Sequence, residues 1–138
     1  VVITNLGRTA FRIGDHGNEI GDPVPTGGVL YEGPASTIAC ATTPYYGRGV
    51  KMFPFATRRA GRFQLRVSNL TATQAALNVR RIWNGTMRHA SLSDYYVDRV
   101  RIRCDDAMPY QLGGDARGYR NEMIFSLSEQ PVRLVGKA

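Results

Sequence analysis

Apolar and polar positions alternate with a period of two over most of the chain, which is the pattern of half-buried strands. Phe63, Leu65 and Val67 alternate with Arg62, Gln64, Arg66 and Ser68, predicting one face in a core and the other in water. A longer run places Tyr96, Val100, Ile102 and Cys104 on one face and Val97, Arg99, Arg101 and Arg103 on the other, with Asp98 the single interruption of the apolar face. Shorter strand candidates are Val1–Asn5, Ala10–Ile13, Thr37–Ala41, Val50–Phe53, Met123–Leu127 and Val132–Val135. Turn residues separate them at close spacing: Gly14 to Asn18, Pro23 to Gly28, and Gly113-Gly114-Asp115. One segment has helical spacing instead. Ala76, Val79, Ile82 and Trp83 repeat helically within Thr73–Trp83, with Thr71 or Thr73 as N-cap and Asn84-Gly85 as the stop. The expectation is an all-β, mainly antiparallel β-sandwich with one short connecting helix, a single domain over residues 1–138.

Composition narrows the function classes. The 138 residues are 43% hydrophobic and 21% charged, an ordinary globular balance. No run approaches the roughly 20 apolar residues that cross a bilayer, and the first residues lack a signal-peptide pattern. The chain opens Val-Val, which suggests a piece of a longer polypeptide. Its net charge is +7, and 16 of the 18 basic residues are Arg, only Lys51 and Lys137 being Lys. Arginine's planar fork suits phosphate and carboxylate, so an anionic partner competes with a merely solvated basic surface. Cys40 and Cys104 belong to no Cys-x-x-Cys pair and lie near no His, so zinc and redox motifs are unsupported. Free buried thiols in a reducing cytoplasm are favoured over a disulfide.

The candidate chemistry is sparse. His16 in a Gly/Asp turn and His89 just past the helix are each a possible base, though a loop His more often bonds locally or faces solvent. Asp105-Asp106 resembles a pair of metal-ligating carboxylates, but two adjacent residues before Ala107-Met108-Pro109 read better as a turn. Gly47-Arg48-Gly49 offers close backbone approach for a phosphate, without the following helix that would make the signal strong. Tyr45, Tyr46, Tyr95, Tyr96, Tyr110 and Tyr119, interleaved with Arg, suit base stacking. They do not repeat on one strand face, so packing is the preferred account and no nucleic-acid partner is expected.

Three segments in order resemble the C-terminal domain of the diacylglycerol kinase catalytic family, the bacterial lipid kinases related to sphingosine and ceramide kinases. Thr43 to Ala56 (TPYYGRGVKMFPFA) is similar to the family's Tyr-x-Gly-Gly-Gly-Met-x-Ile-x-Pro-x-Ala, and Ala60 to Val67 (AGRFQLRV) to its Asp-Gly-x-Leu-x-Val strand. Met108 to Gly118 (MPYQLGGDARG) is similar to Pro-x-Gln-x-Asp-Gly-Glu-x-x-Gly. The resemblance implies the sandwich half of a two-domain enzyme that transfers the ATP γ-phosphate to a lipid hydroxyl, using ATP and Mg in the parent protein. The nucleotide-binding N-terminal domain, with its Gly-Gly-Asp-Gly-Thr loop, is the implied missing partner. The fragment alone is then expected to be inactive and to need no cofactor. The implied setting is cytoplasmic, with peripheral contact at the inner membrane face. Arg48, Lys51 and Gly114 are the implied phosphate-facing residues. The family's structural-magnesium Asp falls on Ala60, so no metal is expected there. Its catalytic Asp falls on Gly113, leaving Asp115 as the implied base. The alternatives are a non-catalytic lipid- or membrane-surface-binding module and a basic nucleic-acid-binding or viral structural β protein.

Overall fold

A computed structural model describes residues 1–130 and bears out the all-β sandwich. The strand candidate Val132–Val135 lies outside the described residues. In chain order the elements are β1 (Val2–Asn5), β2 (Ala10–Ile13), β3 (Glu19–Val24), β4 (Val29–Glu32), β5 (Thr37–Ala41), β6 (Phe63–Ser68), α1 (Ala72–Leu77), α2 (Val79–Trp83), β7 (Leu92–Val97), β8 (Arg99–Leu112) and β9 (Asp115–Ser126). They form a four-stranded sheet ordered β4-β1-β8-β9 and a five-stranded sheet ordered β3-β2-β7-β6-β5. All pairings are antiparallel. Ile3, Ala10, Leu30, Phe63, Leu65, Val67, Tyr95, Val97, Val100 and Ile102 fill the space between the sheets. Burial of this apolar set supplies the main drive to fold.

The run Tyr96–Cys104 is two strands in different sheets, not one. The chain crosses from β7 to β8 at Asp98, and the crossing changes the alternation by one residue. Val97, Val100 and Ile102 therefore share the core, while Tyr96 packs with Ile13 and Phe55 on the outer side of the five-stranded sheet. Asp98 marks the corner because it is bonded there. It accepts from Arg8 N (3.1 Å) and Arg8 Nε (2.6 Å), and Arg62 Nη1 lies 3.4 Å away. Gly7 makes the corner possible, since a Cβ at that position would sit 1.8 Å from Asp98 Oδ1.

Other departures have equally local causes. The polar face of β6 is not wet: all six of its residues are buried, because residues 52–56 lie over Gln64 and Arg66. Val50–Phe53 is no strand; Val50 makes only an isolated bridge to Gly47. The single helix is two short ones parted at Asn78, opened by a capping box in which Thr71 and Gln74 bond each other's backbone. Asp105-Asp106 is not a turn, since β8 runs through it. β3 and β4 arise in segments read as turns or unassigned, and β9 begins well before Met123. Among the described residues no helix is long and apolar enough to cross a membrane.

Candidate functional site

The outer face of the five-stranded sheet carries a buried polar network that seats the longest loop. Asp94 on β7 accepts from Arg66 Nε (2.8 Å), Arg66 Nη2 (2.7 Å) and Gln64 Nε2 (2.8 Å). This is the bidentate fork that a guanidinium makes with a carboxylate. Arg66 Nη1 then donates to the Met52 carbonyl (2.5 Å), and Gln64 Oε1 accepts from Phe55 N (2.9 Å). Each buried polar group so finds a partner, and the backbone of residues 52–55 is fixed above the sheet.

That anchor holds the preceding loop in place. Phe53 N donates to the Pro44 carbonyl (2.9 Å), and Lys51 N to the Trp83 carbonyl at the end of α2 (2.8 Å). Tyr46 N bonds Val50 O and Val50 N bonds Gly47 O, both at 2.9 Å, closing a tight turn with Arg48 at φ 45°. Arg48 is exposed at the tip and Lys51 is half-buried at the base. Tyr45 and Tyr46 are 58% and 55% exposed and Trp83 is 47% exposed. Neither helix buries any residue, so Arg80 and Arg81 also face outward.

The β8–β9 hairpin reaches the same place from the other sheet. Its pairing is irregular between Arg103 and Met108 and again between Pro109 and Gln111. Tyr110 meets Phe125 edge-on at 6.1 Å between ring centroids, and Gln111 Nε2 donates to the Tyr46 hydroxyl. Residues 43–51 and the hairpin tip, far apart in sequence, are therefore in contact. Gly113 (φ 60°) and Gly114 (φ 95°) join Leu112 to its cross-strand partner Asp115. Two successive positive φ values are what a type I′ two-residue turn requires, and glycine meets them at little steric cost. Asp115 begins β9 with its side chain 79% exposed, and among the described residues its charged neighbour is Arg117 Nη2 at 3.9 Å. Of the residues singled out in the sequence, Arg48, Lys51, Gly114 and Asp115 thus lie on two backbone segments that touch. Ala60 lies apart, in the turn before β6. Among the described residues no group of three or more His, Cys, Asp or Glu could hold a metal.

Packing accounts for only some of the tyrosines. Tyr95 and Tyr96 are buried, and burial raises both hydroxyl pKa values; Tyr45, Tyr46 and Tyr119 are exposed. Cys40 and Cys104 are free thiols, and burial pushes Cys40 up to about 12. The two histidines, unrelated in sequence, line one cleft of about 680 Å³ at the end of β2 and the start of β7, with Arg12, Asp15, Arg88 and Asp94. Sequence spacing held no signal for that convergence, because it depends on the β2–β7 pairing. No family model, curated protein or solved structure matches the chain.

Proposed function

We propose that this domain is a non-catalytic binding module for single-stranded nucleic acid, with its contact surface on the 43–51 loop, α2 and the hairpin tip. The observation that carries the reading is the exposure of Tyr45, Tyr46 and Trp83 beside Arg48, Lys51, Arg80 and Arg81. Exposed aromatics are costly to leave in water, and a base stacked on one is worth about 1–3 kcal/mol. Segments 43–51 and 79–83 contain four Lys and Arg positions, Arg48, Lys51, Arg80 and Arg81, and no Asp or Glu, while the hairpin tip adds one charge of each sign in Asp115 and Arg117. Such a surface attracts a phosphate backbone and releases its counterions. The expectation of no nucleic-acid partner rested on the tyrosines not repeating along one strand face; the reading proposed here takes its stacking faces instead from a loop, at Tyr45 and Tyr46, and from α2, at Trp83. Fluorescence anisotropy with a labelled dT₁₂ oligonucleotide tests the proposal. Binding is expected at low salt, weakened about tenfold or more by Tyr45→Ala/Tyr46→Ala. Binding to anionic vesicles but not to the oligonucleotide would replace it with the membrane-surface reading.

The kinase resemblance supports a second reading, that the domain is the sandwich half of a lipid kinase acting with a nucleotide-binding domain. The contact between Tyr46 and Gln111 favours it, because it joins two of the three segments that carry the resemblance. In this reading Asp115 is the base for the lipid hydroxyl, with Arg48, Lys51 and Gly114 toward the phosphates. The type I′ turn explains how the chain can place Asp115 at the tip, though as the first residue of β9 rather than in a curled loop. Asp115→Asn in the parent protein is then expected to cost about 10²-fold in kcat, the scale of general-base catalysis. Unchanged turnover would remove Asp115 from that role.

A further inference from the structure

A β-bulge sets which side chains the β8–β9 hairpin turns toward the loop. Pro109 pairs with Tyr119 and Gln111 with Ala116, so two steps along β8 match three along β9. The extra residue falls at Arg117-Gly118, and Gly118 takes φ 78°, the left-handed conformation of a glycine bulge. Arg120 Nη1 donates to the Tyr119 carbonyl (2.7 Å) and braces the chain just past it.

The bulge decides where Tyr119 points. Cross-strand partners in an antiparallel pair share a face, and successive residues alternate between faces. Had the register of the tip, Leu112 with Asp115 and Gln111 with Ala116, run on unbroken, Tyr119 would lie opposite Met108 on the face of Tyr110. That is the side on which Tyr110 packs edge-on against Phe125. The extra residue moves Tyr119 to the other face, opposite Pro109 and in line with Gln111, whose side chain donates to the Tyr46 hydroxyl. Tyr119 therefore stands on the loop side of the hairpin, about 7 Å further along the ribbon than Gln111. Its neighbours on that face, Pro109, Gln111 and Ala116, are uncharged, whereas Asp115 pairs with Leu112 on the opposite face.

The fold gains no burial from this arrangement, since Tyr119 is 67% exposed. A bulge disrupts the ladder, and bulges that re-aim a side chain recur beside functional sites. The contacts also set the exposed aromatics in a series. The Trp83 carbonyl accepts from Lys51 N at the base of the loop (2.8 Å), Tyr45 and Tyr46 stand nearer its tip, and Gln111 carries the line onto the face of Tyr119.

We infer that a single strand bound at the loop continues onto the hairpin and stacks a further base on Tyr119. The ligand is then an unpaired tract long enough to span α2, the loop and the hairpin, rather than a short end or an isolated nucleotide. This inference rests on the nucleic-acid reading and adds to it a third stacking station and a length requirement.

The test is fluorescence anisotropy at low salt with labelled dT₄ and dT₁₂, on the wild type, Tyr119→Ala and Tyr119→Phe. Tyr119→Ala is expected to weaken dT₁₂ about tenfold, the scale of one lost stack. It should weaken dT₄, which the loop and α2 hold alone, by about twofold or less. Tyr119→Phe keeps the ring and should match the wild type on both. Equal dT₁₂ affinity in the wild type and Tyr119→Ala, with Tyr45→Ala/Tyr46→Ala still weakening it, overturns the inference and leaves the loop surface standing. Equal losses on dT₄ and dT₁₂, or a loss in Tyr119→Phe as large as in Tyr119→Ala, overturn it as well. No binding of dT₁₂ by the wild type removes the nucleic-acid reading itself, and this inference with it.

Discussion

Replacing Asp94 with Ala removes the hub on which the loop side of the sheet depends. Its side chain is 11% exposed and that of Arg66 is 6% exposed, so neither charge has water to fall back on. The substitution leaves the Arg66 guanidinium without its two charge-assisted bonds and Gln64 Nε2 without its acceptor. Breaking a buried pair by deleting one partner costs about 3–5 kcal/mol. Against a total stability of about 5–15 kcal/mol for a domain, that is a large fraction. Guanidinium unfolding followed by circular dichroism should show the midpoint falling by the corresponding amount with little change in slope. The double substitution Arg66→Met/Asp94→Leu should recover much of the loss, because the cost lies in the orphaned charge rather than in a missing attraction. Amide exchange at Phe55, whose N–H bonds Gln64 Oε1, should accelerate in Asp94→Ala before global unfolding. A loss below about 1 kcal/mol, the value of an exposed ion pair, would refute the claim that this network is buried and holds the loop.

Other expectations follow from single positions. Gly85 has φ 69°, and a Cβ there would approach the Lys51 carbonyl oxygen to 2.7 Å, so Gly85→Ala should cost about 1–2 kcal/mol for the backbone alone and more for the clash, read as a lowered thermal midpoint. Gly113→Ala carries a similar positive φ but meets nothing within 4 Å, so it should cost the backbone strain alone, about 1–2 kcal/mol, read as a smaller fall in midpoint than Gly85→Ala with amide-shift changes confined to the hairpin tip near Asp115 and Tyr46. Cys40 titrates at about 12 when folded, whereas an unfolded thiol ionises near about 8.5. Above that lower value the unfolded chain releases a proton the folded one keeps, so Cys40's contribution is fully present below about pH 8.5 and is lost as pH rises toward about 12. Thermal midpoints between about pH 8 and 10.5 should therefore fall less steeply in Cys40→Ala than in the wild type, and a slope identical in both would contradict the assignment.

Period-two patterning was sufficient to read the sandwich, because β1, β2, β5 and β6 each carry a clear apolar face and end at turn residues. It failed where a second layer of chain covers a strand. Nothing local distinguishes Arg66 on a wet face from Arg66 beneath residues 52–56, since the difference is made by Asp94 on another strand. The crossing at Asp98 was visible as a polar residue in an apolar run, but its meaning depends on Arg8 and Arg62. β3 was hidden by its exposure, as it is an edge strand with Gly21 and Pro23 and almost no buried residue. At the site, Arg48, Lys51 and the Gly113-Gly114-Asp115 turn stood out by composition. Their meeting through Tyr46 and Gln111, and that of His16 with His89, required the sheet pairing.

The surface assignment can be examined by irradiating the protein at 254 nm with dT₁₂ and locating the adducts by peptide mass spectrometry. Zero-length cross-linking reports bases in contact with aromatic rings, which is the contact that stacking requires. Adducts are expected on the peptides carrying Tyr45, Tyr46 and Trp83, and they should disappear as salt is raised. Adducts confined to other parts of the molecule, or an equal yield from the Tyr45→Ala/Tyr46→Ala/Trp83→Ala protein, would contradict a nucleic-acid surface at the loop and hairpin tip.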